Sequence, residues 1–350
     1  MSLGAPFILY GATGYAGRMV AEQACARGLR PILAGRTRVQ LERVATELGC
    51  EYAVAPLDDA AAVTSLLARA PIVLNAAGPF AATAGPLASR AIGQGVHYLD
   101  LSGEVDAFES VAKLHEVARR QNVMLMPGVG FDVVPSDCLA VHTARSVREP
   151  RRLSLAIFGM GPPSRGSART MVRELGRPIR VRRRGTLSSV PAGEGERRFR
   201  VDGMELAGLP VSWGDLVTAY YSTGVPDITV YFEATPSLRF ALAASRSAQY
   251  WRDRRFAADV ANVLAEMVNG EPPAHATEVT ILAEVEGAGV RRRALLRTPG
   301  VYEVTTQAAF AVIERVLRAQ AEPGFQTPGR LFGPDFVLSL PRVTRSDLTS

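Results

Sequence analysis

Lysine is almost missing from this chain: of 40 basic residues in 350, Lys113 alone is a lysine and the rest are arginine. A mechanism built on lysine has one residue to use, and the residue four positions before it, Glu109, is not the tyrosine that a Tyr-x-x-x-Lys catalytic pair needs. Cysteine is scarce as well. Cys25, Cys50 and Cys138 are odd in number and far apart in sequence, so neither a disulfide framework nor a zinc site is indicated, and reduced thiols without a bound metal are expected. No apolar run approaches the roughly 20 residues of a membrane span. The start MSLGAPFILYG lacks the basic residues and cleavage site of a secretion signal, so a cytoplasmic protein with no membrane span is expected.

What is present is a large apolar fraction: 47% hydrophobic residues are enough to build two domains with real cores. From residue 6 to 147, short β-rich runs alternate with segments of helical period. The runs are FILYG (7–11), PILAGR (31–36), YAVAPL (52–57), PIVLNAA (71–77), VHYLDL (96–101) and NVMLMP (122–127). Such alternation predicts an α/β domain over 1–147 with a parallel, doubly wound sheet. Beyond it the pattern changes to long alternating stretches: PIRVRRRGTLSSVPAG, ERRFRVDGMEL, DITVYFEA and the hairpin EVTILAEVE-GAG-VRRRALLRT. They predict a second, α+β domain over 148–322 on a mainly antiparallel sheet, with helices at about 237–269 and 302–320. The turn-rich tail 323–350 is expected to return to the first domain.

The formal charge of +6 is concentrated in Arg180, Arg182, Arg183 and Arg184, in Arg197, Arg198 and Arg200, and in Arg291 to Arg293. Alternation with Val181, Phe199 and Val201 points to solvated strand faces. The alternative is a surface for an anionic partner such as a carrier protein or coenzyme A. No aromatic-interleaved basic groove accompanies the charge, so nucleic-acid binding is not expected.

Gly11, Gly14 and Gly17 lie in YGATGYAGR, directly after the first strand and at the opening of the first helix. Glycine there lets the backbone approach a pyrophosphate, and the helix start offers N–H groups to the anion, so this is a candidate dinucleotide site. An NAD-preferring site usually carries an acid about 20 residues further on. Here the sequence is Ala34-Gly35-Arg36-Thr37-Arg38, which would instead suit the 2′-phosphate of NADPH, with Arg36 and then Arg38 as its clamp. Leu57 and Asp58 end the third strand where they could flank the adenine, and Asp58 is equally a candidate helix N-cap. Asn75-Ala76-Ala77-Gly78-Pro79-Phe80 ends the fourth strand at the carboxyl edge, where open α/β sheets bind ligands.

Four segments in this order, GATGYAG (11–17), NAAGPF (75–80), HYLDLSGE (97–104) and GVGFDVVPSD (128–137), resemble the saccharopine dehydrogenase-like reductases, a superfamily that includes trans-acting enoyl reductases. WGD (213–215), YYSTGVPDI (220–228) and PGFQTP (323–328) extend the resemblance over most of the chain. It implies a Rossmann domain, an α+β substrate domain, NADPH as cofactor, and hydride transfer to a C=C bond of an enoyl thioester or a C=N bond of an imine. Carried over residue by residue, Gly11, Thr13, Gly14, Tyr15, Gly17, Arg36, Ala77 and Gly78 would touch the cofactor, with Phe131 and Asp132 near the nicotinamide. A small-molecule or carrier-bound substrate and a homodimer are expected.

The candidate proton donors are Asp132, Tyr98, His97, Glu104 and Asp137. Asp132 lies on the loop after the sixth strand, at the same edge as Ala77 and Gly78, and would need a carboxyl raised by burial. His97 and Tyr98 are adjacent on one strand, so only one can face a cleft. Asp137 follows Pro135 and Ser136 at a helix start, where an acid serves the helix itself. Two alternatives stay open: an acyl-phosphate or semialdehyde dehydrogenase using Cys138 with His275, and a non-catalytic NADPH-binding sensor or scaffold.

Overall fold

The computed structural model of the chain describes residues 7–161, 177–246 and 278–348. These form two compact units, the first running to Val134 and taking in Tyr302–Pro341, the second comprising Pro135–Val301 and Arg342–Ser350.

In the first unit all six predicted strands form: β1 (Ile8–Tyr10), β2 (Ile32–Gly35), β3 (Tyr52–Val54), β4 (Ile72–Asn75), β5 (His97–Asp100) and β6 (Met124–Met126). They pair in parallel in the order β6-β5-β4-β1-β2-β3, with Ile8 opposite both Ile32 and Val73. Helices α1 (Tyr15–Ala26), α2 (Arg38–Leu48), α3 (Ala60–Leu67), α4 (Phe80–Gly93), α5 (Val105–Ala112) and α6 (His115–Arg120) connect them. Helices on both faces explain why the strands are continuous apolar runs: β1, β2, β4 and β6 are buried at every position. Each enclosed Ile, Leu or Val contributes roughly 1.5–3 kcal/mol. The parallel direction brings the loops after Tyr10, Asn75, Asp100 and Met126 to one edge of the sheet. Asp59, not Asp58, caps α3, accepting a hydrogen bond from the Ala62 N–H at 2.9 Å.

The second unit opens with α7 (Val134–Arg145) and holds β7 (Pro150–Phe158), β8 (Ile179–Arg183), β9 (Thr186–Val190), β10 (Arg197–Val201), β11 (Met204–Val211), α8 (Asp215–Thr223), β12 (Asp227–Glu233), α9 (Pro236–Arg246), β13 (Val279–Gly287) and β14 (Val290–Thr298). Its sheet runs β10-β11-β12-β7-β13-β14, antiparallel except between β12 and β7. Three hairpins close through the dipeptides Arg184-Gly185, Asp202-Gly203 and Ala288-Gly289, with φ between 47° and 80° at all six residues. These are two-residue turns whose twist matches that of the strands they join. Residues 247–269 of the expected long helix lie outside the described residues.

The arginine clusters divide. Arg184, Arg198, Arg200, Arg291 and Arg292 are solvent-exposed strand or turn residues, as alternation predicts. Arg182 is buried: its Nε donates to the Leu216 carbonyl and its Nη1 to the Gly185 carbonyl, both at 2.6 Å, and its plane stacks 4.2 Å from the Tyr220 ring centroid.

The helix expected at 302–320 is α10 (Val301–Leu317), and from Tyr302 onward it belongs to the first unit, not to the second as the composition change implied. Phe310 packs edge-on against Phe7, and the apolar stripe of α10 lies in the first core. The tail splits. Strand β15 (Gly324–Phe325) extends the first sheet in parallel beside β6, α11 (Pro328–Leu331) follows it, and β16 (Thr344–Leu348) pairs with β14 in the second sheet.

Candidate cofactor and active site

The turn between β1 and α1 is built from three glycines with different reasons to be glycine. Gly11 adopts φ +90°, and a Cβ there would sit 2.6 Å from the Ala77 nitrogen; one on Gly17 would sit 2.2 Å from the Gly11 carbonyl oxygen. Both residues are therefore demanded by the packing of the chain on itself. Gly14 is not. Its φ is −76°, and a Cβ would meet nothing closer than the Gly11 oxygen at 3.5 Å. Gly14 is exposed at the start of α1, where the first-turn N–H groups and the positive end of the helix dipole lie. Gly78 is likewise exposed, and a Cβ there would meet only Phe80, at 4.0 Å. Two glycines that the fold does not require, on neighbouring loops of one sheet edge, leave room for a group outside the chain. Such a cradle fits a dinucleotide.

Around it lie Thr13, exposed in the turn, and Tyr15, whose ring meets that of Tyr302 edge-on at 5.0 Å. Arg36 and Arg38 are exposed just after β2, and Asp58 is exposed after β3. Tyr10 ties β1 to the third strand's exit through its hydroxyl, which donates to the Ala55 carbonyl at 2.8 Å. Burial raises the Tyr10 phenol, while Arg36 lowers it, Asp58 raises it and Arg90 lowers it. The charges of Arg36, Asp58 and Arg90 therefore all reach this phenol.

Beneath the cradle runs a buried polar chain. The Asn75 side chain accepts from the Ala77 N–H at 3.0 Å and donates to Thr83 at 3.2 Å and to the Tyr98 hydroxyl at 3.1 Å. Thr83 in turn donates to the Ala77 carbonyl at 2.6 Å. The Tyr98 hydroxyl donates to Asp100 at 2.8 Å, and the other Asp100 oxygen accepts the N–H groups of Ser102 at 2.9 Å and Gly128 at 2.8 Å. Glu104 accepts the Phe80 and Ala81 N–H groups, capping α4. The loops after β4, β5 and β6 are thereby held by one set of hydrogen bonds.

That set leads to Asp132. The loop 127–133 leaves β6 through Gly128 at φ +72°, where a Cβ would collide with Val133 at 2.5 Å. Gly130 packs on Thr305 of α10, whose hydroxyl accepts the Phe131 N–H at 3.3 Å. Phe131 is buried, while Asp132 keeps part of its surface exposed. Burial first, then the charges of Asp100 and Glu104, push the Asp132 carboxyl up to about 7. Asp100 is pushed up to about 6 by burial and Glu104, against the hydrogen bonds it accepts.

The other expected donors stand elsewhere. Tyr98 is fully buried, its hydroxyl is committed within the chain just described, and burial beside Asp100 keeps it protonated. His97 begins β5, at the opposite edge from Asp100, and its Nδ1 accepts the Met124 N–H at 3.0 Å. Asp137 is buried in the first turn of α7 and accepts a hydrogen bond from Ser222 of α8, a structural tie within the second unit. Cys138 is completely buried, which deprives it of the access a nucleophile needs, and His275 lies outside the described residues.

Sequence reasoning missed Asp100, Thr83, Tyr302 and Thr305. Asp100 had a local signal: Tyr98 and Asp100, two apart on a strand, must share a face. The α10 residues had none, since Thr305 is 174 positions from Phe131 and Tyr302 is further still from Tyr15.

A parallel sheet of this order, with a glycine turn feeding its first helix, defines a dinucleotide-binding α/β domain. Residues 7–126 match the saccharopine dehydrogenase NADP binding domain. Among curated proteins, the trans-acting enoyl reductase of Mycobacterium tuberculosis is 35% identical over 138 residues, 37% of this chain and 33% of that protein. The trans-acting enoyl reductase of Mycobacterium leprae is 32% identical over 152 residues, 41% and 36% of the two chains. The chain thus spans about a third of the length of the curated relatives it matches. Apo saccharopine dehydrogenase (L-Glu forming) from Saccharomyces cerevisiae shares the fold, with a TM-score of 0.66 over 99% of this chain and 100% of that one at 13% identity. No helix among the described residues is long and apolar enough to cross a membrane.

Proposed function

We propose that the protein is an NADPH-dependent reductase of the saccharopine dehydrogenase-like class, reducing a polarised double bond, either the C=C of an enoyl thioester or the C=N of an imine. The observation that carries this reading is the pair Gly14 and Gly78, glycines without a packing reason on the edge that also bears Asp132. The first-turn N–H groups of α1 would hold the pyrophosphate, and Arg36, with Arg38, the 2′-phosphate. When bound, the reduced nicotinamide supplies the hydride. Asp132 supplies the proton, to the α-carbon of an enoyl thioester or to the nitrogen of an imine, and is recharged from solvent through its exposed side. A carboxyl held at about 7 is protonated about half of the time at neutral pH and more below it, as suits a general acid. The Asn75–Tyr98–Asp100 chain keeps the cofactor loop and the donor loop in one geometry.

The test is oxidation of NADPH by the full chain in the presence of α,β-unsaturated acyl thioesters and, separately, cyclic imines. Turnover with one class is expected, falling above pH 7 as Asp132 loses its proton. NADPH binding with no oxidation by either class would overturn the catalytic reading.

A further inference from the structure

Cys25 and Cys50 were expected to be unrelated thiols, yet their sulfurs lie 3.3 Å apart. Cys25 is in the last turn of α1, and Cys50 follows Gly49, which ends α2 in the left-handed region at φ 61°. Both sulfurs lie 3.7 Å from one acceptor, the Leu48 carbonyl, and both residues are partly exposed. The helix ends that bring them together are set by the packing of α1 beside α2, not by either cysteine. A sulfur–sulfur bond of about 2.05 Å needs an approach of roughly 1.2 Å, within reach of small side-chain rotations. Cys138 is fully buried.

We propose that Cys25 and Cys50 form a site of reversible oxidative modification, at which a small peroxide converts two thiols into an intramolecular disulfide. Both sulfurs are partly exposed and within reach of each other, so either can meet the oxidant and the other resolve it. The thiolate of one attacks one peroxide oxygen, the O–O bond breaks, and the departing hydroxide takes up a proton to leave as water. That sulfur is left as a sulfenic acid. The second sulfur then displaces the hydroxyl from the first, its own proton departing with it as a second water. Two thiols and one hydrogen peroxide give one disulfide and two waters, the sulfurs being oxidised and the peroxide reduced. The ring so closed contains β2, α2, Arg36 and Arg38, tying the segment that carries the proposed phosphate clamp to the end of α1.

The experiment uses the full chain, reduced with dithiothreitol, desalted and exposed to stoichiometric hydrogen peroxide. Alkylation after denaturation is expected to count three thiols before treatment and one after it, with peptide mapping showing Cys25 linked to Cys50 in monomeric protein. Dithiothreitol should restore all three thiols. The oxidised chain should melt a few °C above the reduced one, because the disulfide restricts the unfolded chain. In Cys50→Ser and in Cys25→Ser, the same peroxide should leave no intramolecular disulfide, and dimedone should trap a sulfenic acid on the remaining thiol of the pair. Matching melting temperatures of the reduced variants and reduced wild type would exclude misfolding as the cause. Oxidation that ends in sulfinic acid without a Cys25–Cys50 link, or in disulfides only between two copies, would overturn the proposal.

Discussion

The first unit buries Asp100 and most of Asp132, the second buries Glu284, and the surroundings of these acids could hardly differ more. Glu284 faces three guanidinium groups: it is ion-paired with Arg197 and lies 3.5 Å from Arg293 and 3.8 Å from Arg291. Asp100 accepts hydrogen bonds from the Tyr98 hydroxyl and two backbone N–H groups, and the charges of Asp100 and Glu104 raise Asp132. Removal from water disfavours the charged form in either place, and at Glu284 opposite charge offsets it. A buried acid met by cations is a structural tie. A buried acid met by other acids is left near neutrality, able to give up a proton where the chemistry needs one.

The most severe break of this comparison is Asp132→Asn. It should lower turnover by about a thousandfold, on the order of 4 kcal/mol, with NADPH affinity changed little, measured by steady-state kinetics beside a fluorescence binding titration. The same variant should be more stable than wild type at alkaline pH. A carboxyl raised from 3.8 to about 7 in the folded chain destabilises it progressively as pH rises between those values. Urea unfolding at pH 8 should show a gain of roughly 2–4 kcal/mol that disappears below pH 4; a gain independent of pH would separate the effect from titration.

Glu284→Ala tests the other acid. It leaves Arg197, Arg291 and Arg293 without their shared partner and should cost about 3 kcal/mol in the same unfolding assay, with no movement of the pH–rate profile. Next in size is Arg36→Ala, expected to weaken NADPH by about 30-fold, roughly 2 kcal/mol, and NADH scarcely at all. Equal losses for both nucleotides would remove the 2′-phosphate assignment. The mildest change is Tyr98→Phe, which strips one hydroxyl from the buried chain and should cost about 1–2 kcal/mol of stability. Its turnover should fall by less than tenfold with the alkaline limb of the profile unmoved, whereas a catalytic phenol would bring a loss like that of Asp132.

Much of the fold could be read from local pattern. The six apolar runs, the glycine turn and the dipeptides Arg184-Gly185, Asp202-Gly203 and Ala288-Gly289 each follow from chain physics within a dozen residues. The site was legible where its parts were backbone: Gly11, Gly14, Gly17 and Gly78. It was less so where side chains act at a distance. Tyr98 reads in the sequence as a candidate donor because a tyrosine near a strand end is chemically able, but its hydroxyl is occupied by Asn75 and Asp100. His97, three residues from the carboxyl end of its strand, is about 10 Å from that edge.

The sequence by itself determined the periods, the turns and the absence of a Tyr-x-x-x-Lys pair, because these depend on residues near one another in the chain. It was tertiary structure that brought Gly128 to Asp100, Thr305 to Phe131, Cys25 to Cys50 and Arg197 to Glu284. The strength of a carboxyl or a thiol is set by what surrounds it, and those surroundings exist only once the chain has folded.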